Sequence, residues 1–143
     1  MIQAADNNNL HIAAEMAAEL WDASKQELLE QFKDILNNKK GVLYLKYVGN
    51  IPVGFAQCQL RNDYVEGTDS SPVGYLEGIF VREEYRKNGY AKELLNACQQ
   101  WSKNQGCIEF ASDCEQDNAD SLEFHMKTGF TEANRIICFT KLL

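Results

Sequence analysis

Residues 81–95 read VREEYRKNGYAKELL, and this stretch decides how the rest of the chain is interpreted. An apolar strand pattern ends here, charged residues follow, and after Gly89 the apolar residues take helical spacing. The first amides of a helix lack partners within it, and the helix dipole places partial positive charge there. Arg86 and Lys87 add formal charge, while Gly89 lets the backbone approach a ligand. The turn therefore predicts an anion site; a solvated basic turn is the alternative for so short a motif.

Apolar periodicity around this turn predicts one α+β domain over residues 1–143. The strand–helix–strand unit at 73–112 is expected to be a right-handed parallel crossover, which places ligand sites at the carboxyl ends of its strands. The predicted elements are, in chain order, helices at 10–20 and 28–36, strands at 42–48, 52–60 and 73–81, a helix at 90–104, a strand at 107–112, a helix near 118–127 and a last strand at 135–143.

The composition argues against several classes of function. The formal net charge is −7, and such a surface repels the phosphates of nucleic acids and anionic lipid. No apolar stretch is long enough to cross a membrane, and no signal segment opens the chain. Five scattered cysteines without a Cys-x-x-Cys pair are typical of reduced thiols. We therefore expect a cytoplasmic protein that binds neither nucleic acid nor membrane.

An acidic run at 113–120 raises the question of a metal site. It reads DCEQDNAD and lacks the glycine and the terminal glutamate of an EF-hand calcium loop. The cysteines have no metal-binding spacing either. We expect no metal.

Two motifs in the C-terminal half resemble the signatures of the GNAT acyltransferase superfamily. Residues 86–91, RKNGYA, are similar to Q/R-x-x-G-x-G/A, and residues 118–130, NADSLEFHMKTGF, are similar to N-x-x-A-x-x-F-Y-x-x-x-G-F. The nucleotide motifs G-x-x-x-x-G-K-S/T and G-x-G-x-x-G do not occur. The resemblance implies a GNAT fold: a central mixed, mostly antiparallel sheet flanked by helices, with one parallel strand pair splayed at an acetyl-CoA site.

The same resemblance implies which residues bind acetyl-CoA, here a co-substrate. The backbone of the strand end would pair with the pantetheine arm, the amides of the turn would wrap the pyrophosphate, and Asn118 would contact the cofactor from the other side. The implied residues are Ile79, Phe80, Val81, Arg86, Lys87, Asn88, Gly89, Tyr90, Ala91, Lys92 and Asn118.

The chain departs from the superfamily at one functional position. Where most members carry a tyrosine that protonates the departing thiolate, this sequence has His125. A histidine can donate that proton near neutral pH, so His125 is a candidate general acid. The alternative is that His125 only packs within its helix.

The N-terminal half resembles one subfamily, the aminoglycoside 6'-N-acetyltransferases, which are antibiotic resistance enzymes. By this resemblance Trp21 and Tyr64 line the sugar pocket, and Glu77 and Asp113 meet the substrate amines. It also implies a homodimer. Without it, Trp21 would be interpreted as a core residue and Asp113 as a turn or cap residue. The matching strings are Leu20-Trp21, RNDYVEG at 61–67 and YLEG at 75–78.

Glu77 is the candidate catalytic residue that accepts a proton from the substrate. It interrupts a strand that is otherwise apolar, so its carboxylate must lie at a cleft, be paired, or change its protonation. The alternative is an edge position in solvent. We predict direct acetyl transfer from acetyl-CoA to the 6'-amine of a polycationic aminoglycoside, with Glu77, through water, helping to remove the ammonium proton.

Two other functions are consistent with parts of the sequence. One keeps the chemistry and changes the acceptor to another small amine or a protein amine; the Trp21 and RNDYVEG resemblance argues against it. The other is a non-catalytic CoA-binding sensor, against which the intact Glu77 argues.

Overall fold

The computed structural model describes residues 1–143 as five strands, four α-helices and one 3-10 turn. The helices and strands predicted between residues 10 and 104 are confirmed to within three residues at their ends. In chain order the elements are β1 (Ile2–Ala4), α1 (Leu10–Leu20), α2 (Lys25–Asn37), β2 (Gly41–Val48), β3 (Ile51–Arg61), β4 (Val73–Val81), the 3-10 turn Glu83–Tyr85, α3 (Tyr90–Asn104), β5 (Phe110–Ser112) and α4 (Ala119–Lys127).

Local sequence signals explain where the helices begin. At the start of α2, the Ser24 hydroxyl accepts a hydrogen bond from the Glu27 amide, and the Glu27 carboxylate accepts one from the Ser24 amide. This reciprocal capping box satisfies two amides that the helix itself leaves unpaired. Gly89, in the left-handed region, precedes α3, which has 15 residues. None of the helices is both long and apolar enough to cross a membrane.

The five strands form one sheet in the order β1-β2-β3-β4-β5. The first three pairings are antiparallel, and β4 pairs with β5 in parallel, with α3 as the connection between them. This is the mixed, mostly antiparallel sheet with one parallel pair that the resemblance to the GNAT superfamily implies.

Helices cover both faces of the sheet because the strand side chains alternate. Leu43 and Leu45 of β2 pack with α1 and α2 on one face, whereas Val42 packs on the other face with α3. Phe55 and Cys58 divide β3 in the same way. The period of two therefore yields two apolar layers, one on each face.

The parallel pair separates after only three residue pairs. Gly74, Tyr75 and Leu76 pair with residues 110–112, and β5 then ends, while β4 continues to Val81. On its other side β4 stays paired with β3 up to Val81. Residues 77–81 therefore have an open strand edge facing the gap beside β5.

Three strand assignments differ from the sequence-based ones. The strand expected at 107–112 spans only 110–112, and β1 was not predicted because three residues show no period. The strand expected at 135–143 is absent: residues 131–143, which we call the C-terminal arm, have no regular secondary structure. Phe139 is 88% exposed and Leu142 is 98% exposed. The apolar run of the arm favours a strand, but no strand of the same chain lies beside it.

Candidate active site

The turn at 86–89 presents backbone amides to solvent. Lys87 and Gly89 both have positive φ, at 63° and 80°. The side-chain amide of Asn88 donates to the carbonyls of Tyr85 and Arg86, at 2.9 and 3.1 Å, which holds the turn in shape. The amides of residues 87–89 donate to no acceptor within the protein. Unpaired amides in such a turn at a helix N-terminus form an anion-binding concavity.

Arginine side chains lie between this turn and the open edge of β4. Arg86 Nε donates to the carbonyl oxygen of Val81 at 2.8 Å, and its guanidinium lies 5.9 Å from the Phe80 ring centroid. The buried Nε of Arg82 has no hydrogen-bond partner. A cleft of about 390 Å³ lies here, lined by Glu19, Phe80, Arg82, Glu83, Glu84 and Arg86.

These groups fit the two ends of an acyl-CoA. An open strand edge offers amides and carbonyls to the amide groups of a pantetheine arm. The unpaired amides and the arginines offer positive partners to a pyrophosphate. The predicted cofactor residues from Ile79 to Lys92 lie at the end of β4, in the turn and at the start of α3, and their role in binding the cofactor stays a prediction.

Asn118 begins α4 and is exposed. Its Oδ1 accepts from the Ser121 amide at 3.2 Å, so helix capping accounts for an asparagine at this position. Its side-chain nitrogen makes no hydrogen bond and is free to meet a ligand. The cofactor role of Asn118 stays a prediction.

Glu77 occupies a β-bulge. Gln57 of β3 pairs with Gly78 and Cys58 pairs with Leu76, so Glu77 has no partner on β3. A bulge re-aims side chains locally and occurs next to active sites. Here it interrupts the alternation, because Leu76 packs with α3 while Gly78 faces Trp21 at the end of α1.

The Glu77 carboxylate is paired with an arginine that the sequence did not point to. Arg61 Nε lies 3.0 Å from Oε1 of Glu77 and Arg61 Nη2 lies 2.9 Å from Oε2, which is a two-pronged ion pair. These hydrogen bonds raise the pKa of Arg61. The Arg61 guanidinium carbon lies 3.5 Å from the ring centroid of Tyr75. Of the three environments expected for Glu77, the paired one is confirmed.

Tyr75 connects this pair to Asp113. Its hydroxyl donates to Oδ2 of Asp113 at 2.8 Å. Tyr75 lies in β4 and Asp113 directly follows β5, so this hydrogen bond spans the gap where the two strands separate. Burial and the Asp113 carboxylate raise the pKa of Tyr75 well above its usual value. Contacts thus link Glu77 to Asp113, the two carboxylates predicted to meet substrate amines. We call the four linked residues the acceptor network: Arg61, Tyr75, Glu77 and Asp113.

Trp21 lies beside this network. A Cβ atom at Gly78 would come within 2.3 Å of Trp21 Cζ2, so the indole lies directly against the backbone next to Glu77. The ring also meets Phe55 edge-on, with centroids 6.0 Å apart. Trp21 is partly buried and serves the core while bordering the acceptor network.

Tyr64 is not brought into the network. Its side chain is 76% exposed, in the loop between β3 and β4, and its hydroxyl makes no hydrogen bond. A role in lining a sugar pocket stays a prediction for this residue.

Both nitrogens of the His125 ring have partners. Nδ1 lies 2.6 Å from the carbonyl oxygen of Ser121, and Nε2 lies 2.8 Å from the Ser112 hydroxyl. Since a carbonyl only accepts, Nδ1 carries a proton. Ser112 ends β5, and its hydroxyl lies 3.3 Å from the Leu76 carbonyl, at the point where the strands separate. The ring also packs 5.0 Å from that of Phe130, so the packing of His125 is observed and its role as a general acid stays a prediction.

Arg61, Tyr75 and Ser112 were missed as site residues by sequence reasoning. Arg61 ends β3 and Ser112 ends β5, positions at which side chains can reach a site at the sheet edge. The pairing of Arg61 with Glu77 depends on strand register and on the bulge, neither of which the sequence displays.

An open strand edge, a turn of unpaired amides and nearby paired carboxylates together define an acyltransferase site that uses an acyl-CoA. Residues 8–130 match the acetyltransferase (GNAT) family. The chain belongs to this family.

Relatives and solved structures agree with this assignment. The chain is 39% identical over 124 residues to the aminoglycoside N(6')-acetyltransferase type 1 of Salmonella typhimurium, covering 86% of each chain. It is 36% identical over 145 residues to the enzyme of the same name from Serratia marcescens, covering 100% of this chain and 99% of that one. Its structure matches AAC(6')-Iy in complex with the bisubstrate analog CoA-S-monomethyl-acetylneamine, with a TM-score of 0.94, 35% identity, and coverage of 100% of this chain and 98% of that one.

Proposed function

We propose that this protein transfers the acetyl group of acetyl-CoA to the 6'-amine of aminoglycoside antibiotics and thereby confers resistance to them. The proposal rests on two features that lie together where β4 and β5 separate. One is the open strand edge at 77–81, and the other is the pair of carboxylates of Glu77 and Asp113. The open strand edge suits an acyl-CoA, and the two carboxylates suit a polycation. The similarity to enzymes named for this reaction, over nearly the whole chain, supports the choice of acceptor.

The acetyl-CoA side of the site is built from backbone. The open edge from Ile79 to Val81 holds the pantetheine arm, and the amides of the turn, with Arg86, hold the pyrophosphate. Acetyl-CoA supplies the acetyl group as an activated thioester. Amides at the end of β4 polarise its carbonyl. This reaction takes place in the cytoplasm, where acetyl-CoA is available.

The acceptor side is built from carboxylates and rings. An aminoglycoside carries several ammonium groups on hydroxylated rings, so it needs anionic partners and flat surfaces. Asp113 pairs with one ammonium, and Trp21 and Tyr64 provide surfaces against which sugar rings pack. Trp21 lies against the backbone at Gly78, one residue from Glu77, which supports this arrangement.

Two groups of this chain handle protons. The 6'-ammonium must lose a proton before its nitrogen attacks the thioester, and Glu77, through water, accepts it. When both of its ring nitrogens carry a proton, His125 donates the Nε2 proton through the hydroxyl of Ser112 to the departing CoA thiolate, which leaves as the thiol. Transfer is direct, because neither histidine has a cysteine thiol among its hydrogen-bond partners and no nucleophile is activated for an acyl-enzyme.

Thiol release from acetyl-CoA tests the proposal against its two rivals. The purified protein would be assayed with an aminoglycoside, with a linear polyamine, with a lysine-rich peptide and with no amine. We expect rapid release only with the aminoglycoside. Equal or faster release with the polyamine or peptide would favour another acceptor, and no release with any amine would favour a sensor.

We further propose that the protein is a homodimer, in which the C-terminal arm of each copy is covered by the other. Ile137 and Phe139 in the arm are 80% and 88% exposed, far more than apolar side chains in a stable monomer usually are. The arm contains a continuous apolar run, IICF at 136–139, that is typical of a buried strand, and β5 is an edge strand with no neighbour on its outer side. Near its start the arm is anchored by a hydrogen bond of 3.0 Å from Asn134 to Glu66.

Sedimentation or light scattering tests the dimer. Phe139→Asp should convert a dimer to a monomer, because a charge in a buried apolar contact is unfavourable. Ile51→Asp, at the exposed isoleucine that begins β3, is the control and should leave the dimer intact. A wild-type monomer, or a Phe139→Asp dimer of unchanged affinity, would contradict the proposal.

A further inference from the structure

We propose that Arg61 is a positioning residue that fixes the Glu77 carboxylate in the orientation in which it receives the acceptor amine. The proposal rests on the acetyltransferase function proposed above. Arg61 is separated from Glu77 by 16 positions in sequence, yet its Nε and Nη2 meet the two carboxylate oxygens separately, at 3.0 and 2.9 Å. A planar fork that binds both oxygens fixes the plane of the carboxylate as well as its position.

The local backbone explains why Glu77 needs such a partner. Glu77 is the bulged residue of β4, so its own backbone is not held in the β3 ladder. A glutamate side chain has several rotatable bonds, and holding it in one conformation has an entropic cost. Its side chain is 20% exposed, so part of it faces the solvent from which an acceptor arrives. Without a partner, this side chain would occupy several orientations at the mouth of the site.

Arg61 is itself held in place. Its guanidinium stacks on the ring of Tyr75, 3.5 Å from the ring centroid. Tyr75 is 5% exposed, and its hydroxyl is fixed by Asp113. Movement of Arg61 is therefore restricted by a buried ring that also sets the position of the second acceptor carboxylate.

The ion pair leaves Glu77 able to act. A carboxylate has about four lone-pair positions, and the arginine fork uses two of them. The other two can accept hydrogen bonds from an ammonium group or from a water molecule beside it. Arg61 thus orients Glu77 without occupying all of its acceptor capacity.

Steady-state kinetics of Arg61 variants test the proposal. Arg61→Met removes the guanidinium but keeps much of the side-chain volume. We expect kcat with the aminoglycoside to fall about 10- to 100-fold, because the reacting groups are misaligned. KM for acetyl-CoA should not change. Arg61→Lys should recover only part of the loss, because an ammonium is a point charge without the fork. Lys25→Met, which removes an exposed ion pair with Glu15, is the matched control and should behave as wild type.

A double-mutant cycle separates positioning from a general loss of structure. In a Glu77→Gln background, Arg61→Met should change kcat by less than about twofold, since the group that it positions is already inactive. Wild-type kcat in Arg61→Met, or an undiminished loss in the Glu77→Gln background, would overturn the proposal. If the wild-type protein acetylates a different amine, the proposed acceptor is wrong, and the same variants then test Arg61 with that amine.

Discussion

The Nε atom of Arg86 donates a 2.8 Å hydrogen bond to the carbonyl oxygen of Val81, the last residue of β4. The anion-binding turn is thereby tied directly to the end of the open strand edge. A ligand with an amide-bearing arm and a pyrophosphate would contact both parts at once. This hydrogen bond therefore fixes the distance between the anion-binding turn and the open strand edge.

Replacement of Gly89 tests the turn. Gly89→Val should weaken acetyl-CoA binding, because a β-branched residue does not tolerate a φ of 80° and the amides would turn away from the ligand. A Cβ at Gly89 would meet no atom within 4 Å, so backbone conformation is what changes. Isothermal titration calorimetry measures the affinity.

Gly106→Val is the matched control for that variant. Gly106 has a φ of 92°, an equally open environment and a position after the other end of α3. It should carry the same backbone strain without loss of acetyl-CoA affinity. If both variants fold and bind acetyl-CoA equally well, the turn is not part of the cofactor site.

Asp113 tests the acceptor side. Asp113→Asn should raise KM for the aminoglycoside more than KM for acetyl-CoA, by about 1–3 kcal/mol in binding free energy, because a charged hydrogen bond is lost. An asparagine oxygen can still accept from Tyr75, so the acceptor network keeps its geometry. Glu30→Gln, at an exposed carboxylate on α2, controls for net charge. Equal effects on both substrates would show that Asp113 is structural.

Replacement of His125 distinguishes a packing role from proton donation. His125→Phe keeps a ring against Phe130 but removes both nitrogens. If His125 is the general acid, kcat should fall by about 10²-fold or more. Ser112→Ala should reduce kcat as well, since the Ser112 hydroxyl is hydrogen-bonded to His125 Nε2. Wild-type kcat in the His125→Phe variant would leave packing as the only role.

The fold was largely predictable from the sequence because most of its elements have a clear period. Leu43, Leu45 and Val42 alternate between the two faces as a period of two requires. The C-terminal arm shows the limit of such reasoning. Its strand pattern is clear, but a strand also needs a neighbour, and the pattern does not say which chain supplies one.

The candidate site was predictable only in part, for a similar reason. Glu77 is conspicuous as a charge in an apolar strand, and Gly89 as a glycine before a helix. The partner of Glu77 could not be read from the sequence, because Arg61 reaches it only through the register of β3 against β4 and the bulge. Ser112 likewise acquires its role only when α4 brings His125 beside the end of β5.

Replacement of Glu77 tests its proposed role as the general base. Glu77→Gln keeps the size of the side chain but removes the charge and the basic site. Turnover with saturating aminoglycoside should fall by about 10²–10⁴, and acetyl-CoA affinity should be little changed, since the cofactor lies on backbone. In wild type the rate should rise with pH, because the acceptor amine must be deprotonated. Near-normal saturated turnover with weak drug binding would mean that Glu77 only anchors the ammonium.

The position of the new acetyl group is the most direct test of the proposed reaction. Two aminoglycosides that differ only at the 6' position, one with an amine and one with a hydroxyl, would be incubated with acetyl-CoA and the wild-type protein. Thiol release would be measured, and the product would be analysed by nuclear magnetic resonance. We expect release with the 6'-amine alone and a single acetyl group on that nitrogen. Equal release with the 6'-hydroxyl compound, or acetylation of a different amine, would contradict the proposed reaction.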